Sequence, residues 1–146
     1  MSRIPVQLPP EDDAGDTEYK LVVAGDPLRV EGLVTQMRGR LCDGRGRAVY
    51  WIGVLDSGKM VGVSRTALDA SVHNLVAVAR KAGAVVVSVD TAPAVADLTD
   101  IRNAHELEPH VPATGQRFVA RAVVTAPLRS APLDFDVDAP AVAAPV

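Results

Sequence analysis

Four arginines, Arg38, Arg40, Arg45 and Arg47, lie within ten positions and straddle two glycines, Gly44 and Gly46. An arginine fork meets phosphate oxygens two at a time. Glycines let a backbone turn tightly and present its N–H groups. A loop of this composition can hold a nucleic-acid backbone by charge and shape. The structural alternative is a solvated basic loop whose arginines offset the negative carboxyl end of a helix. Tyr50 and Trp51 follow at once. On a strand they point to opposite faces, so one joins the core. The other is free to stack on a base or to pack at the surface. Arg38, Arg40, Gly44, Arg45, Gly46, Arg47 and Tyr50 are therefore the candidate contact residues.

Other constellations carry less. Residues 53–59 read G-x-x-x-x-G-K, the spacing of a phosphate loop. Such a loop needs Ser or Thr next, to hold magnesium, and then a helix whose amino end faces the phosphates. Met60 stands there instead, followed by the strand-like Val61-Gly62-Val63, so the segment reads as a hairpin turn. His73 falls between core positions of a helix, and His105 and His110 sit in a long loop near Glu106 and Glu108. Cys42 lies beside Arg40 and Arg45, but no base lies near it in sequence. A single cysteine permits neither an internal disulfide nor a Cys-cluster zinc site, and there is no G-x-S-x-G elbow for a nucleophilic serine. No catalytic residue, metal or cofactor is expected.

The elements that must position the loop follow from periodicity. Residues 18–24 alternate and are β-rich, a first strand. Asp26 suits the cap of a helix with Pro27 in its first turn. Val30, Leu33, Val34, Met37 and Leu41 recur at helical spacing. Gly44 suits the left-handed residue that closes many helices. Residues 48–55 read as a second strand and 60–63 as a third, joined by a turn at 56–59. Ser64 or Thr66 caps a second helix with a stripe of Leu68, Val72, Leu75, Val76 and Ala79, stopped by Gly83. Residues 84–90 and 117–125 are the last strands. In the latter, Phe118, Ala120, Ala122 and Val124 share one face, and Arg117 and Arg121 share the other. The expected fold is α+β: a ferredoxin-like split βαβ of order β-α-β-β-α-β with an extra fifth strand, its two helices on one face of an antiparallel sheet. Residues 91–115 make a connection long for a compact domain, either an ordered excursion or one with a short helix in 94–107.

The chain has 146 residues, 48% of them apolar and 23% charged, one domain's worth with a real core. Residues 1–17 are acidic and carry prolines, and 126–146 mix Ala, Pro, Val and Asp. Both read as mobile arms around a single domain at 18–125. The start lacks the layout of a signal or transit peptide. No apolar run approaches the roughly 20 residues that span a membrane. A cytoplasmic protein without a membrane partner is expected. The net charge of −3 excludes a whole-chain polycation. The charge is uneven, however: residues 19–83 hold ten Lys/Arg against five acids, whereas 1–18 and 84–146 are each net −4. The basic middle favours an anionic partner.

Two stretches stand out together. One is Leu8-Pro9-Pro10-Glu11-Asp12 with Glu18-Tyr19-Lys20-Leu21. The other is Leu33-Val34-Thr35-Gln36-Met37, then Arg40-Leu41, Gly44-Arg45-Gly46 and Tyr50-x-Ile52-Gly53-Val54. In combination they resemble the amino-terminal domain of the eukaryotic GTP-binding protein one/two family, elongation-factor-Tu-like translational GTPases. Asp56, Gly58, Val61-Gly62, Ser64, Leu75 and Ala82-Gly83-Ala84 continue the pattern, so the resemblance covers residues 8–89. Arg47 stands where the family tends to have an acid, which makes this loop more basic. In the family the domain precedes a GTPase core. The motifs of that core are absent from this sequence, and its D-S-G-K word matches the family's hairpin turn. The resemblance therefore implies an association with translation, through RNA, the ribosome or a protein partner, and not GTP hydrolysis.

The sequence reads as a non-catalytic binding module that meets RNA or the ribosome through its basic loop, with no small-molecule substrate. The alternative is an adaptor that binds a protein partner through its Pro-rich acidic arms and long loop. A third reading is a fragment of a GTP-binding protein whose GTPase core is absent.

Overall fold

A computed structural model describes residues 7–98, 107, 110–112 and 114–127. The outer parts of the expected arms, 1–6 and 128–146, lie outside the described residues, as does most of the connection after Leu98, His105 included. The chain runs β1 (Thr17–Lys20), α1 (Pro27–Asp43), β2 (Arg47–Ile52), α2 (Arg65–Lys81), β3 (Val85–Pro93), β4 (Phe118–Thr125). The sheet order is β1-β2-β4-β3. β1 and β2 are parallel, and β4 is antiparallel to both its neighbours.

The fold is thus α+β. β2, α2 and β3 form a split βαβ unit with β4 inserted between its two parallel strands, and β1, α1 and β2 form a plain one. Both crossovers advance the same way along the sheet, and residues of both helices pack in one cluster on a single face of it. There Arg38 Nη2 donates to Lys81 O at 3.1 Å. The sheet is mixed rather than antiparallel throughout, because a helical crossover joins parallel strands.

The described sheet has four strands, not five, and the difference lies in residues 53–63. Gly58 N donates to Leu55 O at 2.8 Å and Leu55 N to Lys59 O at 3.0 Å, which makes the expected turn. Among the described residues, the backbone of 60–63 pairs with a strand only at Val63, which exchanges two hydrogen bonds with Phe118. Residues 60–63 cannot pair with β2 because both its sides are taken, by β1 and by β4.

The chain's own start covers this turn. Leu8 N donates to Gly58 O at 2.9 Å and Glu11 N to Asp56 O at 2.8 Å. Gly58 sits at φ +92°, and a Cβ there would lie 2.1 Å from Leu8 O. Gly58→Ala should lower stability by at least about 1–2 kcal/mol from left-handed strain alone, and should also release residues 7–16. Thermal melting and limited proteolysis within those residues check both effects.

The main core lies between helices and sheet. Ala48, Tyr50 and Ile52 of β2 and Ala120, Ala122 and Val124 of β4 pack on Met37, Leu41, Leu68, Leu75 and Val78. Val76, placed in the α2 stripe by its spacing, is instead 39% exposed. Ser71 takes a buried place there because its Oγ accepts from Val23 N at 3.0 Å. Ser64 is the helix cap, accepting from Ala67 N at 3.1 Å. On the other face Tyr19, Val54, Met60 and Val119 form a smaller cluster against Leu8 and Trp51. Among the described residues, no helix is long and apolar enough to cross a membrane.

Candidate nucleic-acid interface

The buried stripe of α1 (Val34, Met37, Leu41) fixes how the helix lies, and therefore where its closing loop points. Gly44 does not take the left-handed conformation expected of it; its φ is −91°. Arg45 does, at φ 55°, followed by Gly46 at 95°. Gly46 N donates to Leu41 O at 2.8 Å and closes the helix. Gly44 is needed for space, since a Cβ there would lie 1.8 Å from Arg47 O. Ala126 N donates to Gly46 O at 2.8 Å and Thr125 pairs with Arg47, so the end of β4 seals the inner side of the loop. The two glycines shape the turn, and Arg45 and Arg47 stand exposed on it.

Arg38, also exposed, reaches the last carbonyl of α2 and so brings Arg80 and Lys81 to the same end of the molecule. Sequence reasoning missed this second pair, although two cations just before a helix-stopping glycine are a recognisable ending. Among the described residues, none of Arg38, Arg45, Arg47, Arg80 and Lys81 lies within ion-pair distance of a carboxylate. Asp43, next to the loop, accepts a bond from Gly15 N at 2.9 Å instead.

Arg40 and Tyr50 do not belong to this surface, and their assignment as contact residues is corrected here. Arg40 is 7% exposed, because it follows Met37 by three positions on the buried stripe. Its Nε lies 2.9 Å from Glu18 Oε1. Its Nη1 donates to Gly15 O at 3.1 Å and its Nη2 to Asp12 O at 2.8 Å. Glu11 Oε2, 4.0 Å from Arg40, accepts from Tyr19 N at 2.6 Å, and the Tyr19 hydroxyl donates to Pro9 O at 2.8 Å. The segments L-P-P-E, E-Y-K-L and R-L, distant in sequence, meet in this one clasp. It fastens residues 7–16, read from sequence as part of a mobile arm, to the sheet.

Tyr50 is 2% exposed and faces the helices. Trp51 faces the other way, half-buried, with the Arg121 guanidinium carbon 5.9 Å from its ring. Alternation along β2 separates the two neighbours. Nothing in an adjacent aromatic pair says which one turns inward.

Burial raises the pKa of Glu11, and the Glu18 charge adds to this against an opposing bond from Tyr19 N–H. Burial works against charge on Arg40, but the hydrogen bond and charge of Glu18 more than offset it, so its pKa is raised. Burial, and then the Glu18 charge, push the Tyr50 phenol well above its ordinary value. The Tyr50 hydroxyl is also buried, with no hydrogen-bond partner among the described residues. Tyr50→Phe should therefore hold or raise stability at neutral pH, by up to about 1 kcal/mol. At alkaline pH the two proteins should diverge. The unfolded chain ionises Tyr50 near pH 10 while the folded chain resists, so wild-type stability falls as pH rises above that point, by up to about 1.4 kcal/mol per unit for this group. Denaturation of both proteins from pH 8 upward isolates the Tyr50 share.

Outside the clasp lies an open acidic cleft of about 320 Å³, lined in part by Glu11, Asp13, Glu18 and Asp43. Among the described residues no group of His, Cys, Asp and Glu is placed to hold a metal ion. His73 and Cys42 are exposed. The G-x-x-x-x-G-K turn is already occupied: the Gly58 N–H bonds Leu55 O, its carbonyl bonds Leu8 N, and α2 does not start until Arg65.

These features describe an α+β module with a basic end and a clasped acidic arm. Over 81 residues the chain is 49% identical to "GTP-binding protein 2" of Mus musculus and, equally, of Homo sapiens. That stretch is 55% of this chain and 14% of each relative. It is also 40% identical over 65 residues to "Uncharacterized protein R625" of Acanthamoeba polyphaga mimivirus, covering 43% of this chain and 35% of that protein. No family model and no solved structure matches the chain. The chain is thus related, over part of its length, to a GTP-binding protein that it spans only in small part.

Proposed function

We propose that the chain is a non-catalytic binding module, and that its basic end holds the phosphate backbone of RNA, free or on the ribosome. The observation that carries this reading is the exposed group Arg38, Arg45, Arg47, Arg80 and Lys81 at one end of a protein of net charge −3, unpaired with any described carboxylate. Gly44 and Gly46 act by shaping the loop that carries two of these cations. The partial identity to GTP-binding protein 2 supports an origin beside a GTP-binding protein and agrees with the resemblance to translational GTPases. The filled turn at 56–59 argues against nucleotide binding in that segment.

Retention of tRNA on filters and sedimentation with ribosomes test the proposal. If Arg38, Arg45 and Arg47 each neutralise one phosphate, affinity should fall roughly 20- to 40-fold between about 50 and 200 mM salt. No binding at the lower salt would overturn the RNA reading and leave the protein-adaptor alternative.

A further inference from the structure

β2 turns Arg47, Val49 and Trp51 away from the helices, since Ala48, Tyr50 and Ile52 pack on the helix side. Across the strands Arg47 pairs with Thr125, Val49 with Val123 and Trp51 with Arg121. Trp51 therefore shares a face with Arg47 of the basic end, about 13 Å along the strand from it. Val49 and Val123 are only 6% and 7% exposed, so the strip offers its contacts at its two ends. One end holds the exposed Arg47, and the other holds Trp51 and Arg121, both half-buried.

The fold leaves the Arg121 guanidinium without a polar partner. Its carbon lies 5.9 Å from the centre of the Trp51 ring. Among the described residues it makes no hydrogen bond and no ion pair, not even with Asp90, its neighbour in the register. Its five donors can meet a phosphate. Toward β1, whose Tyr19 is its other neighbour, Trp51 walls an open cleft of about 420 Å³ with Pro9 and Pro10. Asp12 and Asp16 also line this cleft. Asp12 Oδ1 accepts from Ala14 N at 3.0 Å, and Asp16 Oδ1 accepts from Thr17 Oγ1 at 2.8 Å. Carboxylates repel phosphate but accept from the amino group of a base. The two sides of the ring therefore sort a nucleotide, with its base toward the cleft and its phosphates toward Arg121 and Arg47.

An aromatic side chain stacks on a base only where that base is free of a double helix. We propose that the RNA held at the basic end is single-stranded, and that one of its bases stacks on Trp51 while Arg121 meets an adjoining phosphate. This rests on the reading of the basic end as an RNA-binding surface.

Trp51 is the only tryptophan, so its fluorescence reports the contact without a label. Oligocytidylate, whose bases carry an amino group, should quench it at low salt, and a blunt RNA duplex should not. Trp51→Leu should weaken filter retention of oligocytidylate at least about fivefold. Arg121→Gln, which leaves the core untouched, should lower the log–log salt slope by about 0.7. Thermal melting of both variants reports that they are folded. Retention that depends on Arg45 and Arg47 but not on Trp51 or Arg121, without quenching, would overturn this proposal and leave the basic end standing. Equal quenching by the duplex would overturn it as well. So would quenching by an oligoarginine peptide and not by oligocytidylate, which would give the cleft to a cation. No retention of any RNA would remove both readings.

Discussion

Arg40→Ala should destabilise the domain by about 3–5 kcal/mol, the size expected when one partner of a buried ion pair is removed. Glu18, 5% exposed, would lose the guanidinium 2.9 Å away and face only Lys20 Nζ at 3.5 Å, and the carbonyls of Asp12 and Gly15 would lose their donors. Total stabilities are commonly about 5–15 kcal/mol, so a loss of this size removes a large share. Arg40→Lys should recover only part, because an ammonium cannot reproduce the planar fork that meets Glu18, Gly15 and Asp12 together. Chemical denaturation of the three proteins reads this directly. The neighbouring Glu11 gives a sign on the pH axis. Its folded pKa is raised, so the folded state holds that proton more tightly than the unfolded chain does. Its contribution to stability is therefore fullest in acid and is lost as pH rises through the folded value.

The second large effect is on binding. Replacing Arg45 and Arg47 together by alanine should weaken RNA binding and reduce the log–log salt slope by roughly 1.4–1.8, the share of two phosphate contacts. Both side chains are exposed, so stability should change by less than about 0.5 kcal/mol for each. Arg45→Gly is the cleaner single variant. It removes the charge at a residue whose φ of 55° glycine adopts without strain. A loss of affinity there cannot be charged to a distorted turn.

How much of this was legible in the sequence depended on whether a local pattern or a long-range contact decided the outcome. Both helices follow from their apolar stripes, and Ser64 from its place before the second one. Alternation placed Ala120, Ala122 and Val124 on the core face of β4 and Arg121 on the other. Residues 60–63 look like a strand, and no local feature says that β4, more than fifty residues later, takes the place beside β2. Arg40 was misplaced by its chemistry, since its type suggests surface while its spacing from Met37 puts it in the buried row; the spacing decided. The arm at 7–16 reads as mobile because its glutamate and prolines gain their partners only from β1, α1 and the turn at 56–59. Tyr50 and Trp51 were a choice between two aromatics, and only the register of β2 resolves it.

The most direct test of the basic end is the salt dependence of tRNA binding for the wild-type chain and the Arg45→Ala, Arg47→Ala double variant, measured side by side. The account predicts a linear log–log fall for the wild type and a lower affinity with a shallower slope for the variant. Identical affinity and slope for the two proteins would contradict it.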